Sequence, residues 1–224
     1  MELDFQTNLI VAIIVSLSTI SQAAFGVGIL LWGTPALMLL DYSFPEALSL
    51  LLPISLLVSF LQFTPNIKEL DFNFIGKFIK CSIPGLTGGL LLVMFVQLQL
   101  NIVIGLMLLV ALFLRKHHAS SLLRDLILKY DRLFMFFVGF SHGISNLGGS
   151  LLVARLSLEG YSRHHYRTNV SAAYFVFATS QLIILLMVNG KLTVSVGYIL
   201  IGLCSYFITN TLIVSRINAK LFDS

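Results

Sequence analysis

Charge-free runs of about sixteen residues or more recur along the whole chain. They cover 5–40, 47–66, 72–96, 99–114, 133–154, 168–190 and 192–215, the third carrying Lys77 and Lys80 near its start. A helix needs about twenty apolar residues to cross the hydrocarbon core of a bilayer, and open backbone has no water to bind there. The chain therefore reads as an all-α polytopic membrane protein, in keeping with 57% hydrophobic and 11% charged residues among 224. The run from Phe5 to Leu40 is not expected to be a signal peptide, since it lacks a basic leader and far exceeds the usual apolar stretch of about 7–15 residues. The net charge of +4 lies between the apolar runs, where it orients the chain in the bilayer and gives no reason to expect nucleic-acid binding. Cys81 and Cys204 fall inside apolar runs and read as small buried hydrophobes. No metal or other cofactor is expected.

The one long polar stretch, "RKHHASSLLRDLILKYDR" at 115–132, spaces Leu122, Leu123, Leu126, Ile127 and Tyr130 helically between charges. That pattern predicts an amphipathic helix on the membrane surface. It divides the chain into a first membrane repeat (1–114), a connector (115–132) and a shorter second repeat (133–224). Sliding the sequence along itself pairs Ser21 with Ser141, Gly28 with Gly148 and Leu31 with Leu151. After a one-residue slip it pairs Tyr42 with Tyr161 and Ser43 with Ser162, and further on Cys81 meets Cys204. Matches in one order predict an internal duplication.

Topology follows from where Lys and Arg fall. If 5–40 and 133–158 each cross once, nine basic residues lie inside and five outside. If each is a broken helix pair that enters and returns to its own side, thirteen of fourteen lie inside, leaving only Lys191 out. The excess of positive charge on cytoplasmic loops favours the second arrangement, with a periplasmic amino terminus and a cytoplasmic carboxy terminus. Length agrees for the first segment, because its 36 residues would make a helix of about 54 Å against a core of ~30 Å. For the second it is silent, since 22 uncharged residues also fit a single span. Three crossings between the broken segments would make the halves inverted repeats, a recurrent transporter architecture.

Broken helices at membrane depth imply a cavity or a protein lining. The helix that resumes after Gly26 and Gly28, or at Gly148 and Gly149, presents free N–H groups and the positive end of its dipole. Hydroxyls and amides cluster nearby: Ser21, Gln22 and Thr34 in the first half, Ser141, Ser145, Asn146 and Ser150 in the second. They suit the oxygens of a small oxyanion. The competing reading is close helix packing by small residues.

The stretch "AAFGVGILLWGTPALMLLDYSFPEALSLLLPIS", then "GGLLL", the second glycine segment and "RTNVSAAYFVF", resemble the sulfite exporter TauE/SafE family of membrane permeases. The resemblance covers nearly the whole chain through loose motifs, with Ser49 and Thr168 as the small or hydroxylated residue after the first loop of each half. It implies transport of small anions, often sulfite or sulfonates, across the bacterial inner membrane. The "GVG" stretch is thinner than the family's run. The second half also lacks a counterpart of 99–114, a face that homo-oligomerisation would cover.

No carboxylate lies deep in an apolar run, so His142 is the coupling group to consider, as a proton carrier or as a hydrogen-bonded structural histidine. Arg155, Arg163, His164, His165 and Arg167 are expected at the cytoplasmic mouth, drawing anions in or serving only as positive-inside anchors. "GFSHG" at 139–143 matches the nucleophile pattern of hydrolases, but that chemistry needs a strand-to-helix elbow and a separate histidine. An intramembrane hydrolase is thus the weaker alternative. A passive anion channel is the stronger one.

Overall fold

The computed structural model describes residues 5–96, 105, 121–190, 192 and 194–222. Apart from Gly105, the apolar run 99–114 lies outside the described residues, as do 115–120 of the connector and Lys191. Among the described residues the chain is helical and has no strand. In order come α1 (Phe5–Phe25), α2 (Ile29–Met38), α3 (Phe44–Phe63) with a 3₁₀ turn (Thr64–Glu69), and α4 (Phe72–Phe95). After the connector come α5 (Ser121–Lys129), α6 (Asp131–Ser145), α7 (Gly148–Leu156), α8 (Arg163–Asn189) and α9 (Val196–Phe222). Four of the described helical segments are long and apolar enough to cross a membrane: Phe5–Phe25, Phe44–Glu69, Phe72–Phe95 and Arg163–Asn189. Ile29–Met38 and Val196–Leu212 are shorter apolar helices.

Local chemistry sets the boundaries. Ser43 starts α3 by donating both its N–H (2.8 Å) and its hydroxyl (2.6 Å) to Glu46, with Pro45 pre-set for the first turn. Ser162, its partner in the sequence alignment, starts α8 by accepting from the N–H of His165 at 3.2 Å. Asp71 caps α4 by accepting from the N–H of Phe74 at 2.9 Å, satisfying one of the donors a helix start leaves open.

The closest helix pair is α4 with α6. Gly85 and Gly89 on α4 face Gly139 and Gly143 on α6, and a Cβ on any of the four would overlap backbone of the other helix. Small residues four apart on both partners are what lets membrane helices approach backbone to backbone. The glycines of "GFSHG" therefore serve packing, in the later turns of a continuous helix and not at an elbow.

Helices distant in sequence pack together: α1 lies on α9, α6 on α4, and α3 on α8. One apolar cluster joins α1, α2, α3 and α9 through Val15, Leu30, Leu51, Ile54 and Tyr206. A second joins α4, α6, α7 and α8 through Phe78, Val138, Leu152, Tyr174 and Phe177. The outer faces are apolar too: Phe5, Leu9, Ile13 and Leu17 stand exposed along α1. The cysteines differ from expectation. Cys81 is half-buried at the margin of the second apolar cluster and Cys204 is exposed, so neither is a fully buried core residue.

Candidate functional site

Both glycine segments interrupt a helix. α1 ends at Phe25 and α2 begins at Ile29; between them Gly26 has φ +80°, a backbone region that a Cβ makes costly. α6 ends at Ser145, Asn146 takes the left-handed conformation at φ 60°, and α7 begins at Gly148. Asparagine tolerates that conformation better than other residues with a side chain.

Around the first break the polar groups satisfy one another. Gln22 accepts from the N–H of Ile29 (3.1 Å), the opening donor of α2, and donates to Ser59 on α3 (3.0 Å). Gln62 on α3 donates to the carbonyl of Gln22 at 2.9 Å and accepts from Ser171 on α8 at 3.4 Å. Ser21 donates to the carbonyl of Val27 at 3.3 Å. The guanidinium of Arg167, half-buried on α8, donates to the carbonyl of Ala23 in the last turn of α1. Among the described residues Arg167 has no acidic partner.

At the second break the serines bond locally, but several buried polar groups are left without a partner. Ser145 donates to the carbonyl of Ser141 (2.8 Å) and Ser150 to that of Leu147 (2.7 Å). His142 is fully buried, its ring stacked on Phe177 with centroids 4.0 Å apart and edge-on to Tyr174. Neither of its nitrogens has a hydrogen-bond partner in the protein, nor do the Tyr174 hydroxyl and the Gln181 carbonyl oxygen.

The two breaks meet. The amide of Asn146 donates to the hydroxyl of Thr34 on α2 at 2.8 Å and accepts from the amide of Gln181 on α8 at 2.8 Å. All three residues are fully buried. One side chain thus bridges both broken segments and the central helix.

The glycines at the breaks are in tight contact. A Cβ on Gly28 would lie 2.5 Å from the backbone nitrogen of Gln22 and 2.6 Å from the carbonyl oxygen of Ser18. One on Gly148 would overlap the carbonyl of Val138, and one on Gly149 the hydroxyl of Tyr174. Gly28 and Gly148 let each short helix fold back against the helix before it, and Gly149 lets α7 approach Tyr174 on α8.

The expected arginine cluster separates into three environments. Arg155 is 4% exposed and bound to Asp131 at 2.5 Å and to Glu159 at 2.6 Å; Asp131 also pairs with Lys77. Arg163 and His164 are exposed. His165 stacks on Tyr161 with centroids 4.5 Å apart, and Tyr161 donates to Asp71 at 2.8 Å. The Phe74 N–H and the Tyr161 hydroxyl hold the Asp71 carboxyl below its ordinary range, against the opposing effect of partial burial. Burial, then the hydrogen bond to Asp71 and that residue's charge, pushes the Tyr161 phenol up.

Sequence reasoning passed over Ser59, Gln62, Ser171, Tyr174, Gln181 and Asp131. A usable signal existed for two of these: Gln62 and Gln181 are isolated amides deep in apolar runs, where an amide needs a partner.

Residues 10–223 match a protein-family model described as sulfite exporter TauE/SafE. No curated protein and no solved structure matches the chain.

Proposed function

This chain belongs to the sulfite exporter TauE/SafE family, and we propose that it exports small anions such as sulfite or organosulfonates across the bacterial inner membrane. It is built, on this reading, from two inverted repeats, 1–114 and 133–224, joined by a connector (115–132) whose helix α5 lies on the membrane surface. The exchange of partners between halves, α1 on α9 and α6 on α4, and the matched caps Ser43 and Ser162 support it. Each repeat opens with a broken pair, α1–α2 or α6–α7, that enters the bilayer and returns.

The observation that carries the proposal is the meeting of both breaks at Asn146, Thr34 and Gln181. Transporters place substrate where two broken helices face each other near mid-membrane. On this reading the anion enters by exchanging hydrogen bonds with Asn146 and Gln22, whose amides are engaged with other side chains, and with Ser141, Ser145 and Ser150. The N–H groups at Gly28, Gly148 and Gly149 add the positive ends of α2 and α7, whereas that of Gly26, expected to join them, closes the last turn of α1 on the Gln22 carbonyl at 2.8 Å. Arg167, a cation beside the first break with no acidic partner among the described residues, favours negative charge there. Arg163 lies on the approach. Arg155, held by two carboxylates, fixes the end of α7 instead of capturing anions. His142, a fully buried imidazole in the second broken segment, carries the coupling proton.

The test is tracer flux in proteoliposomes for sulfite, sulfate, a sulfonate and acetate, with and without a proton gradient. Saturable sulfite or sulfonate flux that responds to the gradient is expected. Flux indifferent to the gradient would identify a passive channel, and absence of flux for every anion would overturn the proposal.

A further inference from the structure

Away from the helix breaks, a cleft of about 510 Å³ opens where α4 and α6 begin, its lining including Phe72, Gly76, Lys77, Lys80 and Arg132. Phe72, Gly76 and Lys80 recur every four residues and so share one face of α4. Gly76 leaves the floor open, since a Cβ built there meets nothing within 4 Å. Of the three cations, Lys77 is tied to Asp131, a carboxylate that Arg155 also holds. Among the described residues, Lys80 and Arg132 have no acidic partner.

The surroundings decide what such a cleft accepts. Phe72 (69% exposed), Ile79, Leu133 and Phe137 stand exposed on the same two helices, so the basic cleft adjoins an apolar surface. The start of α4 is where a helix long enough to span would pass from hydrocarbon to headgroup, and α5, carrying Arg124 and Lys129, leads directly into α6 beside it. A free inorganic anion uses only the charge. A phospholipid uses both, with phosphate between Lys80 and Arg132 and acyl chains along the exposed apolar side chains.

We infer that this cleft is a binding site for the phosphate headgroup of an anionic phospholipid. Basic pockets at the edge of the hydrocarbon region recognise such headgroups, and lysine stems can lie along the apolar surface while their ammonium groups reach the phosphate. The inference needs only that α4 spans the bilayer, and it stands apart from the identity of any transported anion.

Native mass spectrometry of the purified full-length protein, with phosphatidylglycerol or phosphatidylcholine added to the detergent, tests it. Phosphatidylglycerol should be retained over phosphatidylcholine. The double variant Lys80→Gln/Arg132→Gln should lose about twenty-fivefold in phosphatidylglycerol retention, taking about fivefold for each interfacial charge, with phosphatidylcholine unaffected. Gly76→Leu fills the cleft without changing charge and should also lower phosphatidylglycerol retention, which keeps the test decisive if the double variant is poorly folded. Equal retention of the two lipids by the wild type, or retention unchanged in both variants, overturns the inference. Displacement of phosphatidylglycerol by an equal concentration of inorganic phosphate also overturns it, in favour of a free-anion site.

Discussion

Asn146 is the side chain whose loss separates the two broken segments most directly. Asn146→Gly keeps the left-handed backbone at φ 60° while removing the bonds to Thr34 and Gln181. Interhelical hydrogen bonds in membrane proteins average about 0.6 kcal/mol and reach about 1.7, so two of them give a loss of about 1–3 kcal/mol. Asn146→Leu loses the same bonds and adds the cost of a Cβ-bearing apolar residue in the left-handed region, a further 1–2 kcal/mol or about that. At about 2–4 °C per kcal/mol for a chain of this size, the glycine variant should melt roughly 2–12 °C below wild type and the leucine variant lower still. Thermal unfolding of detergent-purified protein reads this ordering. A double-mutant cycle with Thr34→Val should show coupling, because Asn146→Gly has already removed the bond that valine deletes. If Asn146→Leu melts with wild type, or if the Thr34→Val and Asn146→Gly effects simply add, the bridge does not hold the breaks together.

Four further outcomes are expected. Asn146→Leu should weaken sulfite binding about ten- to a hundredfold through loss of one donor to a charged ligand, and Asn146→Asp should weaken it more by adding like-charge repulsion; thermal-shift titration with sulfite measures both, and wild-type affinity in the aspartate variant would move the site elsewhere. Cysteines introduced near Asp4 and Ser120 should label from opposite sides of the membrane, and labelling of both from one side would end the re-entrant topology. Gly139→Leu should cost at least about 3 kcal/mol, because the clash is with backbone that cannot step aside, and a monodisperse variant melting at the wild-type temperature would contradict the α4–α6 contact. Since the folded-state pKa of Asp71 is depressed, its contribution is present above the ordinary value of 3.8 and lost as pH falls through the lower folded value; Asp71→Asn should flatten the stability profile below pH ~4, and an unchanged acid slope would mean that the Tyr161 contact is inert.

The membrane character and the helical architecture were legible because they rest on length and hydropathy, which the bilayer imposes on any spanning helix. Both helix breaks were legible from Gly26, Gly28, Gly148 and Gly149; Ser43 and Ser162 each stand at a helix start, of α3 and of α8. What sequence could not supply was the partner of each polar side chain. Asn146 finds Thr34 across 112 positions and Gln22 finds Ser59 across 37, pairings fixed by packing and by no local periodicity. The same limit hid the second meaning of "GFSHG". Its outer glycines spell a four-residue spacing that signals close packing, but only Gly85 and Gly89 on another helix make that spacing an interface.

The glycines at the breaks bear on which substitutions can separate a binding site from a packing site. A leucine at Gly28 or Gly148 would abolish transport on either reading, since its Cβ already collides with backbone of the preceding helix. The loss would not distinguish a blocked anion from a misfolded break. Thr34→Val does distinguish them. It preserves volume, deletes one hydroxyl 2.8 Å from the Asn146 amide, and leaves that amide with an unspent donor facing the place where the breaks meet. If the site serves packing alone, the freed donor is a buried polar group without a partner, and stability falls with nothing gained. If an anion binds there, the same donor is released from its internal bond and is available to the ligand. Added sulfite should then raise the melting temperature of the valine variant more than that of wild type, and an equal rise in both would assign Thr34 and Asn146 to packing.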